Sequence, residues 1–219
     1  TYLETVVLPE GLETIGYGAF NNCSALKTIN FPDSLKTIEG HAFDSCSVLK
    51  EVHLPEGLTE LGDYAFGSCS LLTSITLPDS LATIGSYTFY QCAKLSKVTY
   101  PKNWTSAELG VFYGCDSLTS ITVPEGVTQL PSNAFYLATG LRSVSLPSTL
   151  ESISHSAFRD CQSLTSVIIP DGVTSIGNET FYNCTSLTSI DIPDSVTTIG
   201  MSAFSSCSNL TSVTIGSSV

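Results

Sequence analysis

The chain has 219 residues and a formal net charge of −12, with 8 Lys and Arg against 20 Asp and Glu. Its few basic residues are scattered, whereas a nucleic-acid-binding protein carries a basic stripe, and an acidic surface is repelled by anionic membranes. Hydrophobic residues make up 42% of the chain, but no run reaches the roughly 18 apolar residues that a membrane helix requires. The composition therefore predicts a protein that neither binds nucleic acid nor inserts into a membrane.

A 23-residue period organises the whole chain. Cysteine occupies every multiple of 23 except one, where Ala138 stands: Cys23, Cys46, Cys69, Cys92, Cys115, Cys161, Cys184 and Cys207. A leucine opens every turn, from Leu3 to Leu210, and turn positions are counted from it. Such a period is typical of a solenoid, in which each turn buries its apolar face against its neighbours. We expect one array over residues 1–219, with nine complete turns and a partial tenth.

The first predicted element of each turn is a strand, as in residues 72–77, where β-branched and small polar residues separate apolar ones. A proline at position 7 ends it, and turn residues follow. A second extended piece comes next, as in residues 173–176. The Ala-Phe pair then opens a tight segment, predicted to be a single helical or 3₁₀ turn, which ends at the cysteine. Position 18 predicts a continuous aromatic spine: Phe20, Phe43, Phe66, Phe89, Phe112, Phe135, Phe158, Phe181 and Phe204.

The repeated motif is L-x-x-I-x-L/I-P followed by I-G-x-x-A-F-x-x-C, as in residues 187–207. It resembles the BspA-type leucine-rich repeat family over essentially the whole chain. We therefore expect a mainly β leucine-rich repeat solenoid with a parallel strand face, a Phe spine and a buried Cys ladder. The resemblance further implies an extracellular or cell-surface protein that binds other proteins, since several members of the family are implicated in adhesion to host matrix.

The cysteine column predicts buried structural thiols. Stacked side chains point in parallel and stay about 4.8 Å apart, whereas the Cβ atoms of a disulfide lie about 3.8 Å apart. A straight column also cannot surround a zinc ion tetrahedrally. His41, His53 and His155 fall at three different turn positions, and no nucleophile elbow, phosphate loop or paired-histidine motif accompanies them. We expect no catalytic residue, no metal, no cofactor and no enzyme activity.

Position 8 is acidic in seven of the nine complete turns: Glu10, Asp33, Glu56, Asp79, Glu125, Asp171 and Asp194. Calcium between stacked carboxylates would relieve their repulsion. Against calcium, Lys102 and Ser148 interrupt the column, and glycine-rich calcium-repeat motifs are absent. The pattern favours hydrated turns in which the acid serves a turn hydrogen bond.

Positions 2, 3 and 5 of the first strand are predicted to point outward and to form a binding face. They are mainly Thr and Ser, with departures that vary from turn to turn. The candidate partner-binding residues on this face are Lys50, His53, Thr76, Lys97, Thr99 and Thr122.

Tyr90, Tyr113 and Tyr136 occupy the same position in three consecutive turns and are expected to be exposed, where they could grip a protein or a sugar. They lie in the least regular part of the array, in which Trp104 replaces an aliphatic residue and Ala107 replaces Ile. The alternative explanation is local repacking of this part of the array, in which the large Trp104 compensates for the small Ala107.

These features predict a non-enzymatic protein-recognition or adhesion module of a secreted or surface protein, with a protein ligand. A structural spacer and a carbohydrate-binding module that uses the tyrosines are the alternatives. Both ends of the chain lie inside a turn, so we expect a piece of a longer array whose polar caps lie elsewhere. Uncapped ends also predict possible end-to-end self-association.

Overall fold

A computed structural model describes residues 2–219 as a parallel β-solenoid, and each complete turn contributes two short strands. The expected architecture is confirmed. The first strand always begins at position 3, inside the predicted extended segment. These strands are β1 (Thr5–Val7), β3 (Thr28–Asn30), β5 (Glu51–His53), β7 (Ser74–Thr76), β9 (Lys97–Thr99), β11 (Ser120–Thr122), β13 (Ser143–Ser145), β15 (Ser166–Val167), β17 (Ser189–Ile192) and β19 (Ser212–Ile215).

The second strand begins at position 12 and has two residues in every turn. These strands are β2 (Thr14–Ile15), β4 (Thr37–Ile38), β6 (Glu60–Leu61), β8 (Thr83–Ile84), β10 (Ser106–Ala107), β12 (Gln129–Leu130), β14 (Ser152–Ile153), β16 (Ser175–Ile176) and β18 (Thr198–Ile199). The proline at position 7 separates the two strands. Its carbonyl accepts the N–H of the residue three positions on, as in Pro78 and Leu81, 3.0 Å apart.

All paired strands are parallel and offset by one repeat, so that Ile75 lies opposite both Val52 and Val98. This register stacks equal turn positions into columns along the solenoid. The first strands form four sheets, β1-β3, β5-β7-β9, β11-β13-β15 and β17-β19, whereas the second strands form only two, β2 to β10 and β12 to β18.

The tight segment after the second strand is not helical, and the prediction of a helical or 3₁₀ turn is wrong. No helix occurs in residues 2–219. The backbone N–H groups alternate between two partners: Phe43 donates to Ala65 of the next turn at 2.8 Å, whereas Cys46 donates back to Phe43 at 3.1 Å. Positions 16 and 20 adopt positive φ in all nine turns, as at His41 (φ 55) and Ser45 (φ 63). The left-handed residues turn every second peptide towards the neighbouring turn, so the segment stacks as another ladder.

The core is a single apolar column that runs the length of the array. The Phe spine is confirmed: successive ring centroids lie 5.2 to 6.5 Å apart, and their planes differ by 3° to 22°. All eight cysteines are free, and all except Cys207 are buried. Offset aromatic stacking adds to the hydrophobic contribution of the buried rings.

The stretch from Tyr90 to Ala138, which the sequence predicts to be the least regular, contains the irregular turn five. Trp104 is buried and packs edge-on against both Phe112 and Phe135, at 6.3 and 6.4 Å. These two phenylalanines have the widest spacing in the spine, 6.5 Å. The second-strand sheet is interrupted at the same place, between β10 and β12. The indole therefore acts as a wedge between turns five and six, beside the small Ala107.

Candidate binding surfaces

The strand face consists of the outward side chains at positions 2, 3 and 5 of the first strand. All six predicted residues of this face are exposed: Lys50, His53, Thr76, Lys97, Thr99 and Thr122. Sheet pairing brings His53, Thr76 and Thr99 side by side in one row. Lys97 stands in the neighbouring row opposite Ser74. Lys50 precedes β5, and Thr122 ends β11, the first strand of the next sheet.

The side chains at position 5 differ from turn to turn on a backbone that repeats. Beyond the threonines, the row passes through Ser145, Ile168 and Asp191. Ile168 is 84% exposed, although it stands between two polar positions on a hydrated face. An aliphatic side chain held in water contributes nothing to the core, and residues of this kind mark contact surfaces when polar groups surround them.

The predicted tyrosine column is half-buried, so the expectation that it is exposed is wrong. Tyr90 and Tyr113 do lie together, with ring centroids 5.7 Å apart. Tyr136 instead contacts a cation: the guanidinium carbon of Arg159 lies 5.8 Å from the centre of its ring. Equal turn position alone therefore does not produce one continuous tyrosine stack.

A larger aromatic surface was missed by the sequence reasoning. We call it the aromatic ladder; its members are Tyr17, His41, Tyr64, Tyr87, Tyr90 and Tyr113. His41 stacks on Tyr64 at 4.9 Å, and Tyr64 stacks on Tyr87 at 5.2 Å. The ring of Tyr90 packs edge-on against both of these tyrosines, with centroid distances of 5.7 and 6.0 Å. At the other end of the ladder, the ring of Tyr17 lies 5.4 Å from that of His41. The signal was present in the sequence, because His41, Tyr64 and Tyr87 are 23 residues apart at position 16.

A second group beyond the ladder is centred on Arg159. Its guanidinium lies 4.7 Å from the centre of the Tyr182 ring, on the far side from Tyr136. It also forms ion pairs with Asp160 and Glu179. Tyr136, Arg159 and Tyr182 share position 19 in three consecutive turns, so the column continues with a cation between two rings.

The cysteines form a second kind of ladder inside the core. Each thiol from the second turn onward donates a hydrogen bond to a phenylalanine carbonyl 26 residues earlier, as from Cys92 to Phe66 at 3.1 Å. Burial raises the pKa of the Cys46 and Cys92 thiols from 9.0 to about 12. The thiols are thereby held protonated, which suits a structural donor and does not suit a nucleophile or a metal ligand.

The acidic column at position 8 makes hydrogen bonds between turns. Asp79, Glu125 and Asp194 each accept the backbone N–H of the residue one repeat later, at 2.7 to 3.2 Å. That residue is not acidic in any of the three cases. We expected each acidic side chain to accept a hydrogen bond within its own turn. These carboxylates instead accept hydrogen bonds from the next turn. Within residues 2–219, no three His, Cys, Asp or Glu side chains are placed to hold a metal ion.

The three histidines lie in unrelated surroundings. His41 contacts Asp44 at 3.0 Å, and His53 stands on the strand face. His155 bonds the carbonyl of Asn178 at 2.9 Å and the hydroxyl of Ser156 at 3.2 Å. The structure brings none of the three together, as the turn positions predict.

A family model described as the BspA type leucine-rich repeat region, in six copies, matches residues 1–117 and 105–219. No curated protein sequence matches the chain. No helix within residues 2–219 is both long and apolar enough to cross a membrane.

Solved structures of bacterial leucine-rich repeat proteins are similar to this chain. A Bacteroides ovatus protein is 28% identical, with 99% of this chain and 73% of that one covered and a TM-score of 0.52. The T. pallidum leucine-rich repeat protein is also 28% identical, with 85% and 79% covered and a TM-score of 0.62. The pneumococcal vaccine antigen PcpA, at 22% identity, covers 99% of this chain and 63% of its own, with a TM-score of 0.54, and supports the fold alone.

Proposed function

Since the chain belongs to the BspA-type leucine-rich repeat family, we propose that it is a protein-recognition module that binds a partner protein through the strand face. Leucine-rich repeat proteins generally mediate protein interactions. The observation that carries the proposal is the row at position 5, where exposed side chains change from turn to turn on a fixed backbone. A rigid face loses little conformational entropy on binding, so modest contacts suffice for affinity.

The residues of this site are Lys50, His53, Thr76, Lys97, Thr99 and Thr122, with Ile168 as an added apolar contact. Lys50, His53 and Lys97 supply donors, the threonines supply hydroxyls, and the exposed Ile168 supplies area that a partner would dehydrate. The module acts without catalysis and without a cofactor. The extracellular or cell-surface location that the family resemblance implies is part of the same proposal, as is adhesion.

The test is binding of the chain to a panel of purified extracellular-matrix proteins, with a glycan array beside it. One variant carries Lys50→Ala, His53→Ala and Lys97→Ala, and a second carries Ile168→Ser. The matched control carries Glu60→Ala and Gln129→Ala, two exposed residues of second strands. A protein ligand that both face variants lose and the control retains supports the proposal. A ligand that all variants bind equally contradicts it and favours the spacer.

End-to-end association of the chain stays a prediction. Sedimentation at high concentration checks it, and purely monomeric behaviour would contradict it.

A further inference from the structure

The aromatic ladder places bulky side chains on a left-handed backbone position, where the fold itself does not require them. His41, Tyr64 and Tyr87 adopt φ values of 55°, 52° and 56°. Tyrosine is uncommon in the left-handed region, which glycine, asparagine and histidine adopt more readily. The other turns place Gly18, Gly110, Asn133, Ser156, Glu179 and Ser202 at the same position, so only Glu179 among them is also bulky. Since the Phe spine already fills the core, this placement points to a role on the surface.

The Arg159 group shows what such a surface binds. There the guanidinium lies over Tyr136 and Tyr182 and pairs with the carboxylates of Asp160 and Glu179. Guanidinium is planar, stacks on aromatic rings and donates in a fork that fits carboxylates. Turns six to eight therefore contain a cation site of rings and acids that is filled by the chain's own arginine.

The aromatic ladder offers the same chemistry in turns one to five. Asp44 and Asp63 lie near Tyr64. One oxygen of Asp44 contacts His41 at 3.0 Å, and one oxygen of Asp63 accepts the Ser86 N–H at 2.7 Å. Burial raises the pKa of the Tyr64 phenol, and the neighbouring phenols of Tyr87 and Tyr90, followed by the nearby carboxylates, raise it further. At its outer end Tyr17 is 71% exposed, and Glu39 accepts its N–H at 2.7 Å.

The ladder differs from the Arg159 group in what lies against its rings, because His41, Tyr64 and Tyr87 stack on one another, whereas Tyr182 faces a guanidinium. Among residues 2–219, the only cation found over an aromatic ring is Arg159, so no Lys or Arg of this chain lies over a ladder ring. The whole chain has a formal net charge of −12, which attracts a basic partner over a distance.

We propose that the aromatic ladder is a second interaction surface that binds arginine side chains of a partner protein, with the ring surfaces that the stack leaves uncovered and the flanking carboxylates as its contacts. The tight segment carries this surface and the first strand carries the strand face, so it goes beyond the function proposed above. The proposals for the strand face and for the aromatic ladder can therefore be confirmed or contradicted independently.

The probe is a short Gly-Arg repeat peptide, compared with Gly-Lys and Gly-Ser peptides of equal length. Binding is followed by the shifts of tyrosine ring resonances during titration of the intact chain. The test variant carries Tyr64→Asn and Tyr87→Asn. Asn133 already occupies this position with φ 61°, so the backbone tolerates asparagine, and the net charge does not change. Tyr90→Ser is a second variant, because Ser205 occupies that position in turn nine.

We expect saturable binding of the Gly-Arg peptide, tighter than that of the Gly-Lys peptide, and about tenfold weaker binding in the double variant. Lys50→Ala with Lys97→Ala on the strand face should leave this affinity no weaker. The proposal is overturned by absence of saturable binding up to millimolar peptide, by equal affinity for the three peptides, or by full affinity in both ladder variants. Glycan binding that requires the ladder, without peptide binding, would also overturn it.

Discussion

The thiol of Cys92 donates a hydrogen bond to the carbonyl oxygen of Phe66, 3.1 Å away in the preceding turn. That carbonyl also accepts the Cys69 N–H, at 3.4 Å. The small cysteine side chain therefore packs in the core and also links two turns by a hydrogen bond. The column is cysteine for this reason, since alanine supplies the volume of a methyl group but no donor.

The buried thiols predict a loss of stability at alkaline pH. Burial raises the pKa of Cys92 from 9.0 to about 12, so the folded state favours the protonated thiol. The resulting stability is fully present below pH 9.0 and is lost as the pH rises towards about 12. Urea unfolding across this range should show a falling free energy of unfolding, with a shallower fall in Cys92→Ala. A flat profile would contradict the prediction.

Replacing Ala138 by the cysteine that the other turns have at this position should stabilise the protein. Among the described residues, Ala138 leaves the carbonyl of Phe112 with only the N–H of Cys115 as a donor, at 3.1 Å. Ala138→Cys would add a thiol donor and fill space beside the widest gap of the spine. We expect a gain of about 0.5–1 kcal/mol, measured by urea unfolding. Ala138→Ser is the matched control for the donor, and destabilisation by the cysteine would show that the gap has closed around the methyl group.

The periodic features of the fold could be predicted from the sequence because each depends on residue types that recur in every turn. Leu, Pro, Phe and Cys recur at fixed positions, and stacking by one repeat then determines which columns are buried. The form of the tight segment could not be predicted in this way. Its positive φ values occur at Ser45, Tyr64 and Leu137 as well as at glycines. Glycine positions in the sequence therefore do not indicate where the left-handed residues lie.

The candidate surfaces were only partly predictable. Side chains of the strand face point outward by alternation, which is a local rule. The aromatic ladder and the Arg159 group depend instead on contacts among the side chains at positions 16 and 19, such as Tyr64 with Tyr87 and Arg159 with Glu179. These contacts depend on how the left-handed residues aim their side chains, which the repeat pattern does not show.

Removing the hydroxyl of Tyr100 should stabilise the fold. This residue is only 2% exposed, and its buried hydroxyl has no hydrogen-bond partner within residues 2–219. Burial raises the pKa of its phenol. Tyr100→Phe keeps the ring contact with Trp104 at 5.2 Å and removes an unsatisfied donor. We expect a gain of about 1 kcal/mol in the free energy of unfolding. Destabilisation would show that the hydroxyl has a partner, such as a buried water.

Part of the stability at acidic pH should come from Glu125. The Ser148 backbone N–H and, to a smaller extent, the Ser148 hydroxyl lower the pKa of this carboxyl below 4.5. Since the folded state favours the carboxylate, the contribution is present above pH 4.5 and is lost as the pH falls through the lowered value. In Glu125→Gln, the free energy of unfolding should decrease less steeply as the pH falls. Glu10→Gln, at the same turn position, is the matched control.

The last prediction concerns Leu137, which holds a branched side chain at φ 61°. Its N–H donates to the carbonyl of Arg159 at 2.9 Å, so the left-handed conformation is needed for the bond between turns. Asparagine adopts this conformation more readily, and Asn183 already occupies the same position two turns later. We expect Leu137→Asn to raise the free energy of unfolding by about 0.5–1 kcal/mol. Leu137→Val, β-branched at the same φ, should lower it, and the reverse order of the two variants would show that side-chain packing outweighs backbone strain at this position.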